Sequence, residues 1–166
     1  MVKIKYIIMG ILVVVLGILS ATYFFPSEEN KVKKQFHLLS GWVSKGSREN
    51  VFTMTHKTQS IGSLFAEKSE FKTYLDSLSG SYTREEISAY AGRSRLQFSG
   101  LNLRFYDITV VFPEKEIAQV GLTARLRGKL ATGEDVDETH ELSCVLKKTG
   151  NKWLFSHVEM VEVLKK

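Results

Sequence analysis

The sequence predicts an α+β fold in which N-terminal helices pack on a curved, mainly antiparallel sheet, preceded by one N-terminal transmembrane helix. Three observations predict this arrangement. An uncharged apolar stretch covers residues 6–25, helical periodicity follows over residues 28–45, and long stretches of strand character begin near residue 98. Helices followed by a run of strands are typical of α+β folds, because each element must bury one apolar face against another layer.

Composition limits the class of protein. The chain has 166 residues, of which 43% are hydrophobic and 25% are charged, close to ordinary globular usage. The formal net charge is +5, but basic and acidic residues alternate along the chain and form no basic stripe, so no nucleic-acid partner is expected. The only cysteine, Cys144, lies in an apolar stretch, where we expect a buried, unreactive thiol.

Residues 6–25 are predicted to span a membrane. At ~1.5 Å per residue this stretch matches a hydrocarbon core of about 30 Å, and Pro26 ends the helix. The predicted domains are therefore an anchor with a short cytoplasmic tail over residues 1–26 and an α+β domain over residues 27–166. Lys3 and Lys5 precede the anchor, which places the domain outside the inner (plasma) membrane, in the periplasm. The alternative is secretion after cleavage of a signal peptide.

Three helices are predicted after the anchor. Apolar residues at helical spacing predict an amphipathic helix over residues 28–45, and a shorter helix is predicted over residues 47–57. Thr83 and Glu86 form a capping box that begins a third helix, which ends near Arg95. Residues 60–65 and 71–75 are predicted to be extended, with a turn at residues 79–81.

Four long strands are predicted in the C-terminal half. Residues 117–127 alternate most clearly, with apolar side chains such as Val120 and Leu122 on one face and polar ones on the other. The remaining three strands are predicted over the following ranges: residues 101–112, 136–148 and 153–164. Charged or glycine-containing turns separate them.

With these elements in order, the chain resembles the nuclear-transport-factor-2-like (SnoaL-like) superfamily. The most specific match is Gly150-Asn-Lys-Trp153, a glycine turn followed by the tryptophan that begins the last strand. The resemblance covers about residues 28–166 and implies a cone-like α+β fold; a different helix-on-sheet fold is the alternative. It implies no single reaction, because the superfamily includes isomerases, polyketide cyclases and dehydratases as well as transport factors, dimerisation modules and secretion components.

The resemblance also implies candidate catalytic residues. In an isomerase-like site, Asp107 or His140 would be the base, and a tyrosine such as Tyr90 or Tyr106 would stabilise the oxyanion. Each has an ordinary structural alternative, such as a solvent-facing strand position for Asp107. Further polar residues that could line a cone are Tyr82, Arg104 and His157. Neither metal-ligand spacing nor a phosphate-binding loop is present in the sequence, so no metal and no cofactor is expected.

The anchor and the lack of a catalytic motif predict a membrane-anchored, non-catalytic module that binds a protein partner or forms a homodimer. The expected interaction surface is the polar face of the strand over residues 117–127, with Gln119, Thr123, Arg125 and Arg127. The alternative is a small-molecule binder, or an isomerase-, cyclase- or dehydratase-type enzyme, that uses a conical pocket.

Overall fold

The computed structural model describes residues 11, 14, 27–46, 48–74 and 78–161. The chain divides into two compact units, Met1–Lys31 and Val32–Lys166. In the first unit, the Ser27 hydroxyl accepts the backbone N–H of Asn30 at 3.2 Å, a contact typical of a helix cap. The second unit carries the sheet and the candidate sites described below.

The predicted membrane-spanning helix is corrected. Among the described residues, no helix is long and apolar enough to cross a bilayer. Of the span predicted over residues 6–25, only Ile11 and Val14 are described, and the rest lies outside the described residues.

Three helices are described in residues 27–161: α1 (Glu28–Val43), α2 (Val51–Ser63) and α3 (Arg84–Leu96). The apolar stripe of α1 buries Val32 and Phe36 as expected. Helix α2 begins after Asn50, whose side chain accepts the backbone N–H of Thr53 at 2.8 Å. It continues to Ser63, so the prediction that residues 60–63 are extended is wrong.

The capping box of α3 is confirmed. The Thr83 hydroxyl accepts the Glu86 backbone N–H at 3.3 Å, and the Glu86 carboxylate accepts the Thr83 backbone N–H at 2.8 Å. Two of the free backbone donors at the start of the helix are thereby satisfied.

Six strands form one sheet in the described part of the chain: β1 (Phe65–Lys72), β2 (Gly80–Thr83), β3 (Phe98–Glu114), β4 (Ile117–Leu130), β5 (Asp135–Thr149) and β6 (Lys152–Val161). Their order is β2-β1-β6-β5-β4-β3. Only the β1–β6 pair is parallel, and the other pairs are antiparallel. The predicted α+β class and the four-strand meander are confirmed, whereas the turn predicted at residues 79–81 overlaps the start of β2.

The inner face of the sheet, which packs on the helices, carries the apolar residues of β4 predicted by alternation. Ala118, Val120 and Leu122 are all buried. The ring of Phe36 from α1 meets Phe105 and Phe155 edge to face, at centroid distances of 5.4 and 4.9 Å. Aromatic rings therefore fill this part of the space between α1 and the sheet.

Cys144 lies in the same core, as expected. Its side chain is buried, and burial raises the pKa of its thiol to about 12 because the thiolate would lose its hydration. This is a packing residue and not a nucleophile.

A buried cation joins the three helices. The Arg95 guanidinium, on α3, donates to the backbone oxygens of Trp42 at 2.5 Å and Ser44 at 3.2 Å, beside the end of α1. It also donates to the carboxylate of Glu49, which accepts from Lys57 of α2 at 2.8 Å. Arg95 thus satisfies carbonyl groups that the last turn of a helix leaves without partners.

Candidate binding site

A pocket of about 350 Å³ lies beside the filled core, where all three helices meet the β1–β2 edge of the sheet. We call it the tyrosine pocket. Most of its lining side chains are apolar. The complete lining consists of the following residues: Leu39, Val43, Ile61, Phe65, Phe71, Thr73, Leu78, Tyr82, Ile87, Tyr90, Ala91 and Ser94. Its volume is within the range typical of small-molecule sites.

Aromatic side chains form one wall of the tyrosine pocket. Phe65 is buried, and its ring centroid lies 5.6 Å from that of Phe71. The Phe71 ring in turn meets the Tyr82 ring edge to face, at a centroid distance of 5.6 Å. Tyr82 in turn meets Tyr90 at 5.4 Å, with the rings nearly perpendicular. Leu78 and Tyr90 are about half exposed, so the wall runs from the core to a mouth on the surface.

The polar groups of the pocket are few. The Tyr82 hydroxyl donates to the backbone oxygen of Leu78 at 3.3 Å. The Tyr90 hydroxyl has no hydrogen-bond partner among the described residues, and the Arg93 guanidinium lies 5.7 Å from the Tyr90 ring centroid. The lining side chains include no carboxylate and no imidazole within the described ranges. The pocket can therefore bury an apolar body and offer hydroxyl groups to it, but it lacks an evident general base.

Asp107 does not line this pocket. It is exposed and adopts φ 54°, a left-handed conformation, where the β3–β4 register jumps from Tyr106–Thr123 to Thr109–Gly121. Asp tolerates this conformation better than most residues. Asp107 therefore occupies a solvent-facing strand position, the structural alternative named above, at an irregularity in strand pairing.

His140 lies on the inner face of the sheet, opposite Ala124 on β4. Its Nδ1 atom is 2.5 Å from the hydroxyl of Tyr74, and its Nε2 atom is 3.4 Å from Glu138. It does not line the tyrosine pocket, and it lies on the inner face of the sheet whereas Asp107 is exposed to solvent. The structure therefore does not bring the two predicted bases together.

The two tyrosines named as oxyanion donors have different positions. Tyr90 lines the tyrosine pocket, as expected for a cone-lining residue. Tyr106 is 42% exposed on the outer face of the sheet, opposite Thr123, and Arg104 on the same strand is also exposed. Only Tyr90 is placed to touch a ligand in this pocket.

His157, named above as a residue that could line a cone, does not share a face with the buried Phe155. The β5–β6 register passes from Leu146–Phe155 to Val145–His157, so Ser156 is an extra residue. A shift of one residue reverses the direction of the following side chains. His157 therefore lies on the outer face.

The predicted interaction surface is on the outer face as expected, since Gln119, Thr123, Arg125 and Arg127 alternate with buried residues of β4. Both carboxylate oxygens of Asp137 accept from Arg125 at 2.8 Å, and one also accepts from Arg127 at 3.0 Å. The hydrogen bonds from Arg125, with those from Arg127, lower the pKa of Asp137 to about 2. Whether a partner binds this surface stays a prediction.

Sequence reasoning identified Tyr82 and Tyr90 but missed the apolar lining. Leu39 and Val43 were visible as part of the α1 stripe, and a stripe by itself does not distinguish core from pocket wall. Phe71 and Leu78 carried no separate signal. As for metals, the described residues contain no cluster of three or more His, Cys, Asp or Glu side chains that could hold an ion.

Comparison with known proteins gives structural relatives only. No protein-family model matches the chain, and no curated protein matches it. A candidate scytalone dehydratase from Novosphingobium aromaticivorans superposes with a TM-score of 0.64 at 16% identity, covering 82% of this chain and 85% of that one. A hexachlorocyclohexane dehydrochlorinase from Novosphingobium barchaimii superposes with a TM-score of 0.64 at 8% identity, covering 81% of this chain and 86% of that one. A candidate calcium/calmodulin-dependent protein kinase II association domain from Xanthomonas campestris superposes with a TM-score of 0.63 at 15% identity. The match covers 85% of this chain and 91% of that one.

The prediction of a non-catalytic, membrane-anchored interaction module is corrected by these findings. Several of the similar structures are named for enzymes, and the chain has an apolar pocket of about 350 Å³. They favour the alternative, a small-molecule binder or enzyme. At such low identity the likeness shows the fold and assigns no substrate. The chain therefore has the cone-like α+β fold of the nuclear-transport-factor-2-like and SnoaL-like proteins.

Proposed function

We propose that this protein binds a small, mainly apolar molecule in the tyrosine pocket. The observation that carries the proposal is the pocket itself, about 350 Å³ of space with an aromatic wall. At its mouth lies the Tyr90 hydroxyl, which has no hydrogen-bond partner among the described residues. Apolar walls with a few placed polar groups are typical of small-molecule sites.

The lining determines the class of ligand. Phe71, Tyr82 and Tyr90 present ring faces and edges, which favour an aromatic or flat cyclic ligand. Burial of such a ligand removes apolar surface from water on both sides and supplies most of the binding free energy. The Tyr90 hydroxyl, with the Ser94 hydroxyl, would orient a single polar group on the ligand.

The proposal is for binding, since the described lining offers tyrosine hydroxyls but no base to take a proton. A tyrosine hydroxyl can donate a hydrogen bond to a developing oxyanion, which is half of what enolisation requires. If the protein is an enzyme, this geometry assigns Tyr90 to that half.

Filling the pocket tests the proposal. Ala91 lines the pocket on α3, and Ala89 is exposed on the same helix. We expect Ala91→Trp to abolish binding of 2-naphthol, measured by calorimetry on the full chain, whereas Ala89→Trp leaves it unchanged. Two results would contradict the proposal. In the first, both variants bind 2-naphthol as tightly as the wild type. In the second, the wild type binds neither 2-naphthol nor unsubstituted naphthalene.

A further inference from the structure

A second pocket, of about 490 Å³, opens on the outer face of the sheet. We call it the outer-face pocket. Polar side chains from four strands line it: Lys68 and Glu70 of β1, Ser81 of β2, Lys147 of β5, and Ser156 and His157 of β6. None of these residues lines the tyrosine pocket.

Two strand irregularities coincide at this pocket. Between β1 and β6 the register passes from Phe65–Phe155 to Glu70–His157, so β1 uses more residues than β6 over the same stretch. Between β5 and β6 the register shifts at Ser156. Bulges re-aim side chains and interrupt pairing, and here they turn His157 to the outer face beside the gap between β1 and β6.

The charges at the pocket are unbalanced. Lys68 and Lys147 have no ion-pair partner among the described residues. Among the described lining residues, Glu70 alone carries a carboxylate, and one of its oxygens lies 3.5 Å from Nδ1 of His157. Glu159, on the other side of His157, is held by Lys72 at 2.6 Å. Two lysine side chains, one carboxylate and two serine hydroxyl groups therefore line the same pocket.

We propose that the outer-face pocket binds inorganic phosphate, which carries at least one proton at neutral pH. Lys68 and Lys147 supply charge-assisted hydrogen bonds to phosphate oxygens, and the Ser81 hydroxyl adds a neutral donor. The Glu70 carboxylate accepts the proton of a hydrogen phosphate. A sulfate has no such proton at neutral pH, so its oxygens would face the Glu70 carboxylate with no hydrogen between them, and the site prefers phosphate to sulfate.

The test is a titration of the full-length protein with inorganic phosphate at pH 7, followed by the amide resonances of Ser81, Ser156 and His157. We expect saturable shifts at these three amides and at least about tenfold weaker binding of sulfate at equal ionic strength. Shifts that do not saturate, or that occur evenly over the surface, would overturn the proposal. Equal affinity for the two ions would overturn the role of Glu70 and with it the phosphate assignment.

Matched variants separate the pocket from general surface charge. The double variant Lys68→Gln/Lys147→Gln is expected to weaken phosphate binding by at least about tenfold. Lys115→Gln/Lys129→Gln removes the same charge at exposed positions elsewhere and is expected to leave it unchanged. Equal losses in both would contradict the proposal. Circular dichroism checks that each variant is folded. If the double variant does not fold, the single variant Lys147→Gln is used instead, and its expected loss of phosphate affinity is smaller.

Discussion

Tyr82 and Tyr90 meet edge to face, with 5.4 Å between ring centroids and an interplanar angle of 82°. Tyr82 lies on β2 and Tyr90 on α3, so this contact joins the sheet edge to a helix at the tyrosine pocket. The perpendicular arrangement is favourable between aromatic quadrupoles. The Tyr90 hydroxyl has no hydrogen-bond partner among the described residues.

Replacing Tyr90 by Phe separates the ring from the hydroxyl. Because the ring contact with Tyr82 is retained, we expect Tyr90→Phe to keep the affinity for naphthalene. The affinity for 2-naphthol should fall about fivefold, the equivalent of one neutral hydrogen bond. Calorimetric titration of both compounds measures the difference. Tyr106→Phe, on the outer face, is the control, and an equal loss in the two variants would remove Tyr90 from the site.

The buried pair of Arg95 and Glu49 is expected to support the packing of the helices. Glu49→Gln removes the carboxylate and leaves a buried guanidinium without its counter-charge, which should lower the free energy of unfolding by about 3 kcal/mol. Urea denaturation measures this change. Glu134→Gln, in an exposed turn, is the control and should change stability by less than about 0.5 kcal/mol. Equal stability of Glu49→Gln and the wild type would show that the pair contributes little.

The same pair predicts a dependence on pH. Burial raises the pKa of Glu49, but hydrogen bonds from Lys57 and Arg95 outweigh it, and the net pKa is lowered from its ordinary value of 4.5. A lowered carboxyl pKa stabilises the fold above the unfolded-state pKa, and this stabilisation is lost as pH falls through the folded-state pKa. The stability difference between wild type and Glu49→Gln should therefore shrink in acid. A difference that stays constant from pH 7 to pH 3 would contradict the assignment.

Gly62 marks a close approach of α2 to α3. A Cβ atom there would overlap the Ser88 hydroxyl and lie 2.6 Å from the backbone oxygen of Arg84. We expect Gly62→Ala to destabilise the protein by about 1–3 kcal/mol in thermal or urea unfolding, because the helices must separate. At Gly41, in α1, an added Cβ atom would meet no atom within 4 Å outside its own helix backbone. Gly41→Ala should therefore be neutral or slightly stabilising. Similar effects at the two positions would contradict this explanation.

Asp107 is expected to matter for backbone conformation and not for catalysis. At φ 54°, Asp107→Val should cost about 1–2 kcal/mol, while Asp107→Gly should be tolerated. Asp107→Asn should leave both stability and 2-naphthol binding unchanged, because the side chain lines neither pocket. Loss of ligand binding in Asp107→Asn, with stability intact, would restore Asp107 as a site residue.

Cys144 should be inert in the folded protein. Since burial raises the pKa of its thiol to about 12, almost no thiolate exists at pH 8. We expect no reaction with a disulfide reagent such as dithionitrobenzoate in native buffer and one equivalent after unfolding in urea. Fast labelling of the native protein would mean that the core opens around Cys144.

Much of the fold could be predicted because local spacing determines side-chain direction. The stripe of α1, the Thr83–Glu86 capping box and the alternation of β4 each depend on a few neighbouring residues, and all three are observed. The prediction failed where local signals were weak or misleading. Residues 60–63 were read as extended but continue α2, where Gly62 packs closely on α3.

The sites could be predicted only in part. Tyr90 lines the tyrosine pocket, whereas Asp107 and His157 lie at irregularities in strand pairing, which local alternation in the sequence does not reveal. The outer-face pocket gave no signal, because Lys68 and Lys147 are far apart in the chain and meet only across β1, β6 and β5.

The sequence by itself determined the α+β class, the amphipathic α1, the cap of α3 and the meander, because these follow from periodicity and local hydrogen bonding. The tertiary structure decided which residues share a pocket. It brought Tyr90 to Tyr82 and Phe71 through the packing of α3 on the β1–β2 edge, and it turned His157 to the opposite face through one extra residue in β6. The physical reason is that side-chain direction along a strand reverses with every residue, so the face that a residue occupies depends on every irregularity in its pairing.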